Sequence, residues 1–342
     1  MRVLALVALL AILFLMSTLA GNVSATTTGI DTRQALNISL HVFAHLDVGP
    51  NPASNYDPDY VHRAGSQVTA SHRELAQFVQ EFPDLNLLTV IPVYFTEVDH
   101  FLKTLRVALN PEENQLDTLP LSEAAAAQGL QPFLSRLPKR ALQLFVELAA
   151  STQTALAELE ATVWARQQSR REWLQDFWDH EGEKAISSFF AANGFYDFWI
   201  TASPAMRNNG RGFPGLFPGQ AAAVTLLPES AEAVFFSYSL AVHEMIHQVT
   251  DSVVYSVLQV QPEDRSIDPN DSLGMGIHIQ LENAVILTQY WIMKAHDPAW
   301  AEDYLLFMSD WSGEPYADLE ALRNRFPVQQ ELEPALRTLL TP

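Results

Sequence analysis

The sequence predicts an α+β fold, and three observations carry that prediction. Residues 138–190 repeat their apolar positions at helical spacing, whereas 221–227 and 232–236 are short apolar runs of strand length. The second run leads directly into another helical pattern at 239–258, which contains His-Glu-x-x-His. A small mixed sheet bearing one functional helix, packed against a mostly helical N-terminal half, accommodates all three.

The N-terminus bears on where the chain works. Arg2 precedes an unbroken apolar run over 3–15, no acidic residue occurs in 1–25, and Val23-Ser24-Ala25 supplies a small-x-small cleavage site. That pattern predicts a secretory signal peptide at 1–25, with an uncleaved signal anchor as the alternative. Every later apolar stretch is interrupted by His, Asp or Glu. The mature chain is therefore expected to be secreted or periplasmic, without stable membrane insertion. The remainder divides into an N-terminal, mostly helical region at 26–193 and a second region at 194–342.

Composition narrows the chemistry. None of the 342 residues is cysteine, so no disulfide supports the fold, and any zinc must be held by histidine and carboxylate rather than thiolate. With 48% hydrophobic residues the chain can build one large core or two smaller ones. Lys and Arg total 20 against 40 Asp and Glu, a formal charge of −20 that repels phosphate backbones and excludes a nucleic-acid partner. Solubility is reason enough for that charge.

Along the chain, Leu36, Ile38, Leu40 and Val42 alternate with Asn37, Ser39 and His41, which predicts a strand with one wet face and puts His41 at the surface. A helix is expected at 68–82, and a buried strand interrupted by Pro92 at 85–95. In 138–190 the stripe runs through Leu142, Phe145, Val146, Ala149, Leu156, Leu159 and Val163. Trp173, Leu174, Phe177 and Trp178 continue it after a bend, with the aromatics read as core. The Gly- and Pro-rich stretch 208–220 reads as loop, without the Gly-Lys-Ser/Thr ending that a phosphate-cradling loop needs. His41 and His45, on one strand face, are too far apart to chelate and read as structural. Asn37 and Asn270 begin glycosylation sequons.

On a helix over 239–258, His243 and His247 fall one turn apart on one face, so both imidazoles can meet one ion. Glu244, beside the first, can reach a metal-bound water without being a ligand. Ser239 is the expected N-cap, and no Gly or Pro occurs before Pro262. A third ligand must come from elsewhere. Residues 278–291 are apolar at Ile279, Leu281, Ala284, Val285 and Leu287 and predict a second helix carrying Glu282, the expected third ligand; His278 and the loop acids Asp264, Asp268 and Asp271 are the alternatives. Asp251, one turn past His247, either orients that imidazole or is an exposed helical residue.

The segment HEMIHQVTD resembles the active-site helix of thermolysin-type zinc peptidases, which continues past the second histidine into Val-Thr-Asp, and a Glu on a following helix is the hallmark of the gluzincin group. Here the gap to the Glu is longer, and Ile286 stands where the thermolysin type has Asp. The resemblance is thus to zincin-like metallopeptidases as a group and covers a small part of the chain. It implies a zincin-like catalytic region, Zn2+ as cofactor, His243, His247 and Glu282 as its ligands, Glu244 as general base, and a peptide or protein as substrate. It also implies an edge strand upstream of the helix that receives the substrate, with 232–236 as the candidate. An oxyanion donor is implied as well, and Tyr255, Tyr290, His296 and Tyr304 are available, Tyr290 foremost. The expectation is an exported zinc metallopeptidase. The alternative is a secreted peptide-binding or scaffold protein with a zincin-like shell and no catalysis.

Overall fold

The computed structural model describes residues 29–31, 33–46, 56, 68–113, 116–159, 167–207, 210–214, 219–261 and 272–341. The signal-peptide residues 1–25, the second sequon at Asn270 and the loop acids Asp264, Asp268 and Asp271 lie outside them. The chain is α+β, mostly helical with a small mixed sheet. Among the described residues no helix is long and apolar enough to cross a membrane.

The N-terminal layer is built from α1 (Gln34–Ala44), α2 (Ala70–Glu81), α3 (Val98–Leu109), α4 (Leu121–Leu134) and α5 (Lys139–Leu159). Residues 36–42, expected as a strand, are helix. Their polar members do not face water: Asn37, Ser39 and His41 are as buried as the apolar residues between them. Each reaches a partner inside the protein instead, as buried polar groups must. Ser203 Oγ donates to Asn37 Oδ1 at 2.6 Å, and Ser39 Oγ donates to the Leu88 carbonyl. The alternation was therefore one of chemistry, not of exposure, and Asn37 is closed to glycosylation. The expected buried strand at 85–95 is buried but forms two 3-10 segments, Pro83–Thr89 and Ile91–Tyr94, because Pro83 and Pro92 each start a tight turn. Helix α2 stands where predicted, closed by a Thr69–His72 capping box.

The bend expected before Trp173 falls at residues 160–166, outside the described residues. Helix α6 (Gln168–Phe177) passes through a π turn, Trp178–Gly182, into α7 (Glu183–Ala192). Leu174 and Trp178 point inward, whereas Trp173 lies at the surface. Gly182 at the end of this π turn is required by close approach: a Cβ there would lie 2.9 Å from the ring of Tyr238, whose hydroxyl donates to the Gly182 carbonyl at 2.9 Å.

Strands β1 (Gly29–Asp31), β2 (Asp197–Ser203), β3 (Arg211–Pro214) and β4 (Gln220–Leu226) form a sheet of order β1-β2-β4-β3, parallel except for β3. Two expectations change here. The stretch 208–220 contains an edge strand, β3, since Phe213 supplies an apolar anchor that packs on Trp199 and Tyr94. Residues 232–236 are not a strand; they are the turn and first residues of α8 (Val234–Val257). Val234, Phe235 and Phe236 extend the apolar pattern of that helix upstream, so Ser239 is buried within it rather than capping it.

Helices α9 (Ser272–His296), α10 (Pro298–Ser312), α11 (Leu319–Arg325) and α12 (Leu332–Thr338) complete the chain. The sheet separates two cores. Trp199, Phe213, Ala222 and Val224 face the N-terminal helices, while Phe198, Ile200, Ala202, Ala221 and Ala223 face α6–α12. Covered on both sides, β2 and β4 carry near-continuous apolar runs instead of an alternating pattern.

His41 lies against His45 and near His72, with ring centroids 4.4 Å apart for the first pair and 6.2 Å between His45 and His72. Burial, reinforced by the charges of His45 and His72, pushes the His41 pKa down from 6.5 to about 3. The folded chain thus keeps this imidazole neutral where the unfolded chain takes up a proton. Its effect on stability vanishes above pH 6.5 and grows more unfavourable as pH falls toward about 3. In His41→Leu the acid limb of a urea-midpoint-against-pH curve is expected to move to lower pH; an acid limb in the same position would refute the assignment.

Candidate metal centre

Helix α8 rests on β4, where the small side chains of Ala221 and Ala223 allow a close approach. Thr225 Oγ1 donates to the Ser237 carbonyl at 2.8 Å, and Gln248 Nε2 donates to the Ala222 carbonyl at 2.9 Å, so the helix is held at both ends of the strand. Its other side meets α9. There Gln289 Nε2 donates to the Ser239 carbonyl at 2.7 Å in the buried interface and sets the register of the two helices. Tyr304 Oη donates to the Ile286 carbonyl at 3.2 Å and seats α10 on α9.

This register brings Glu282 opposite the two histidines. Glu282 Oε2 lies 3.1 Å from His243 Nε2, and Oε1 lies 3.6 Å from His247 Nε2. One donor atom from each of the three residues falls within 4.8 Å of the others, a spacing that can hold one metal ion. His247 is oriented from behind: its Nδ1–H donates to Asp251 Oδ1 at 2.9 Å, which leaves Nε2 on the Glu282 side. Asp251 is therefore the orienting carboxylate, not a bystander on the helix surface.

Burial opposes charge on His247 and Glu282, but hydrogen bonds and opposite charges outweigh it. Asp251 and Glu282 hold the His247 pKa well above the ordinary histidine value, and His243 and His247 hold Glu282 well below the usual carboxylate range. The two carboxylates call for positive charge at this point. A divalent ion meets the same demand as an imidazole proton, so the donor set fits a metal.

Glu244 stands beside this group and is not one of its members. Its Oε2 accepts from the Gly212 backbone N–H at 2.7 Å, which ties it to edge strand β3. The chain can come this close because Gly212 in β3 and Gly210 just before it have no side chain. A Cβ on Gly210 would lie 2.5 Å from Glu244 Cγ, and one on Gly212 would lie 2.5 Å from the Glu244 carbonyl oxygen. The Gly-x-Gly at 210–212, two bare positions at strand spacing followed by Phe213, was the signal available in the sequence for this contact.

The group opens onto a cavity of about 410 Å³ lined by Leu240, Glu244, His278, Phe307, Met308 and Trp311, among others. His278 lies one turn before Glu282, with Nδ1 3.7 Å from Glu282 Oε1. None of the four residues expected as oxyanion donors lines this cavity. Tyr290 follows Glu282 by two turns plus about 80° of helix rotation and is buried elsewhere. The Tyr304 hydroxyl is spent on Ile286, and His296 packs on Trp300.

No protein-family model, curated protein or solved structure matches this chain. The site stands on its own geometry.

Gly212→Ala is expected to lose about 1–3 kcal/mol of stability by forcing β3 off α8, read from chemical denaturation, and unchanged stability would mean that the strand yields freely. In Asp251→Asn, metal affinity measured by calorimetric titration should fall about 10–100-fold; parent-like affinity would remove Asp251 from the centre.

Proposed function

We propose that this chain is an exported zinc-dependent metallopeptidase of the zincin-like group. One observation carries the reading: His243, His247 and Glu282 converge within 4.8 Å, and Glu244, held by β3, shares their cavity without belonging to the donor set. Two imidazoles and one carboxylate with a position left open are the ligands of catalytic rather than structural zinc. Bound there, zinc supplies a water of lowered pKa and a Lewis acid for a carbonyl oxygen.

The chain's own groups perform the remaining tasks. Gly212 N–H engages Oε2 of Glu244, so Oε1 is left to take a proton from a water in the cavity and to return it to the leaving amine nitrogen. Asp251 keeps His247 in one tautomer by accepting from Nδ1. His278, on the cavity wall, is available to donate to the developing oxyanion. The signal-peptide pattern at 1–25 supports action outside the cytoplasm.

The purified mature protein is expected to contain zinc by elemental analysis and to cleave a quenched-fluorescent peptide library. His243→Ala and Glu282→Ala should lose the zinc. Glu244→Gln should keep it while kcat falls by about 10²–10⁴-fold. Hydrolysis that survives Glu244→Gln, or that is indifferent to removal of zinc, would refute the reading.

A further inference from the structure

A second cavity, about 530 Å³ in volume, lies between the end of β4, the start of α8 and the exposed side of α10. Its floor is apolar, formed by Phe235, Phe236 and Phe307, and Leu306 stands 65% exposed against it. Leu306 is a large apolar side chain at the mouth of an aromatic cavity, where an apolar group bound in the cavity would cover it.

The rim has the opposite character. Glu229, Glu232, Asp303 and Asp310 are all exposed around the opening, and among the described residues none of the four is ion-paired with Lys, Arg or His.

These features select one kind of occupant. A neutral apolar segment would cover the carboxylates without pairing them, and an acidic one would be repelled. A Lys or Arg side chain satisfies both layers: its methylene stem lies on the phenylalanine rings while its charged head reaches the rim. An apolar neighbour in the same segment would cover Leu306. The cavity also adjoins the proposed metal centre, since Phe307 lines both and packs edge-on against Phe236 with centroids 4.9 Å apart.

We propose that this cavity is a recognition subsite for a cationic stretch of the substrate, a Lys or Arg side chain next to an apolar residue, separated from the cleavage site by the Phe307 wall. The substrate role rests on the peptidase reading, whereas the binding itself requires no catalysis.

The test measures binding by fluorescence anisotropy on Glu244→Gln protein, with fluorescein-labelled Gly-Phe-Lys-Leu-Gly and its norleucine-for-lysine counterpart. The lysine peptide is expected to bind about tenfold more tightly at low salt, with the margin shrinking as salt is added. The double variant Asp303→Asn, Asp310→Asn should abolish the margin without changing the thermal melt, because both carboxylates are exposed. Equal affinity for the two peptides, or a margin that persists in the double variant, would overturn the subsite. Hydrolysis by the unmutated protein is scored separately. Cleavage without cation preference sinks the subsite and leaves the peptidase, and cation preference without cleavage does the reverse.

Discussion

Helix α8 is buried on every side from Ser237 to His243, between the sheet and α9, and the site depends on that confinement. A helix so enclosed cannot rotate or slide without unpacking one of its neighbours. The hydrogen bonds from Thr225 and Gln248 on the sheet side and from Gln289 on the α9 side fix its position further. His243, His247 and Glu282 meet because the α8–α9 register is set by apolar packing and by the buried Gln289–Ser239 bond. The same enclosure raises the demand on charge. Imidazoles and a carboxylate withdrawn from water must neutralise one another or bind an ion.

The contact between β3 and Glu244 is the second constraint. An edge strand lies over a helix at a distance that admits no side chain, and the two glycines at that point leave a backbone N–H free to meet a carboxylate. The strand is anchored on its other face by Phe213 in the N-terminal core. The N-terminal helices therefore bear on the site through the sheet, although none of their residues lines the cavity.

The chain has two histidine pairs at helical i, i+4 spacing, and the contrast between them is instructive. His41 and His45 on α1 sit with His72 in the N-terminal layer, where burial and mutual repulsion keep His41 neutral. His243 and His247 on α8 face Glu282, with Asp251 behind the second ring, and there the same spacing favours positive charge. Spacing creates the opportunity. A carboxylate brought from another element creates the site.

Much of this was legible in the sequence, because it depends on local periodicity. The helices over 70–81, 139–159 and 278–291, the strand after residue 220, and the shared face of His243 and His247 follow from residues close enough in the chain to share a face, whereas 272–276, which read as loop, is the first part of α9. Legibility failed where exposure, rather than composition, decided the outcome. Asn37, Ser39 and His41 looked like the wet face of a strand and are buried in a helix, and 232–236 looked like a strand and begins α8. The contact of Gly210 and Gly212 with Glu244 was not deducible from spacing, and spacing left both roles of Asp251 open. What the sequence by itself determined is which side chains share a helix face, since that follows from a repeat of 3.6 residues. Which faces meet was decided only by the tertiary structure, because contacts such as Gly212 to Glu244 and His243 to Glu282 span segments whose relative placement depends on the packing of the whole core.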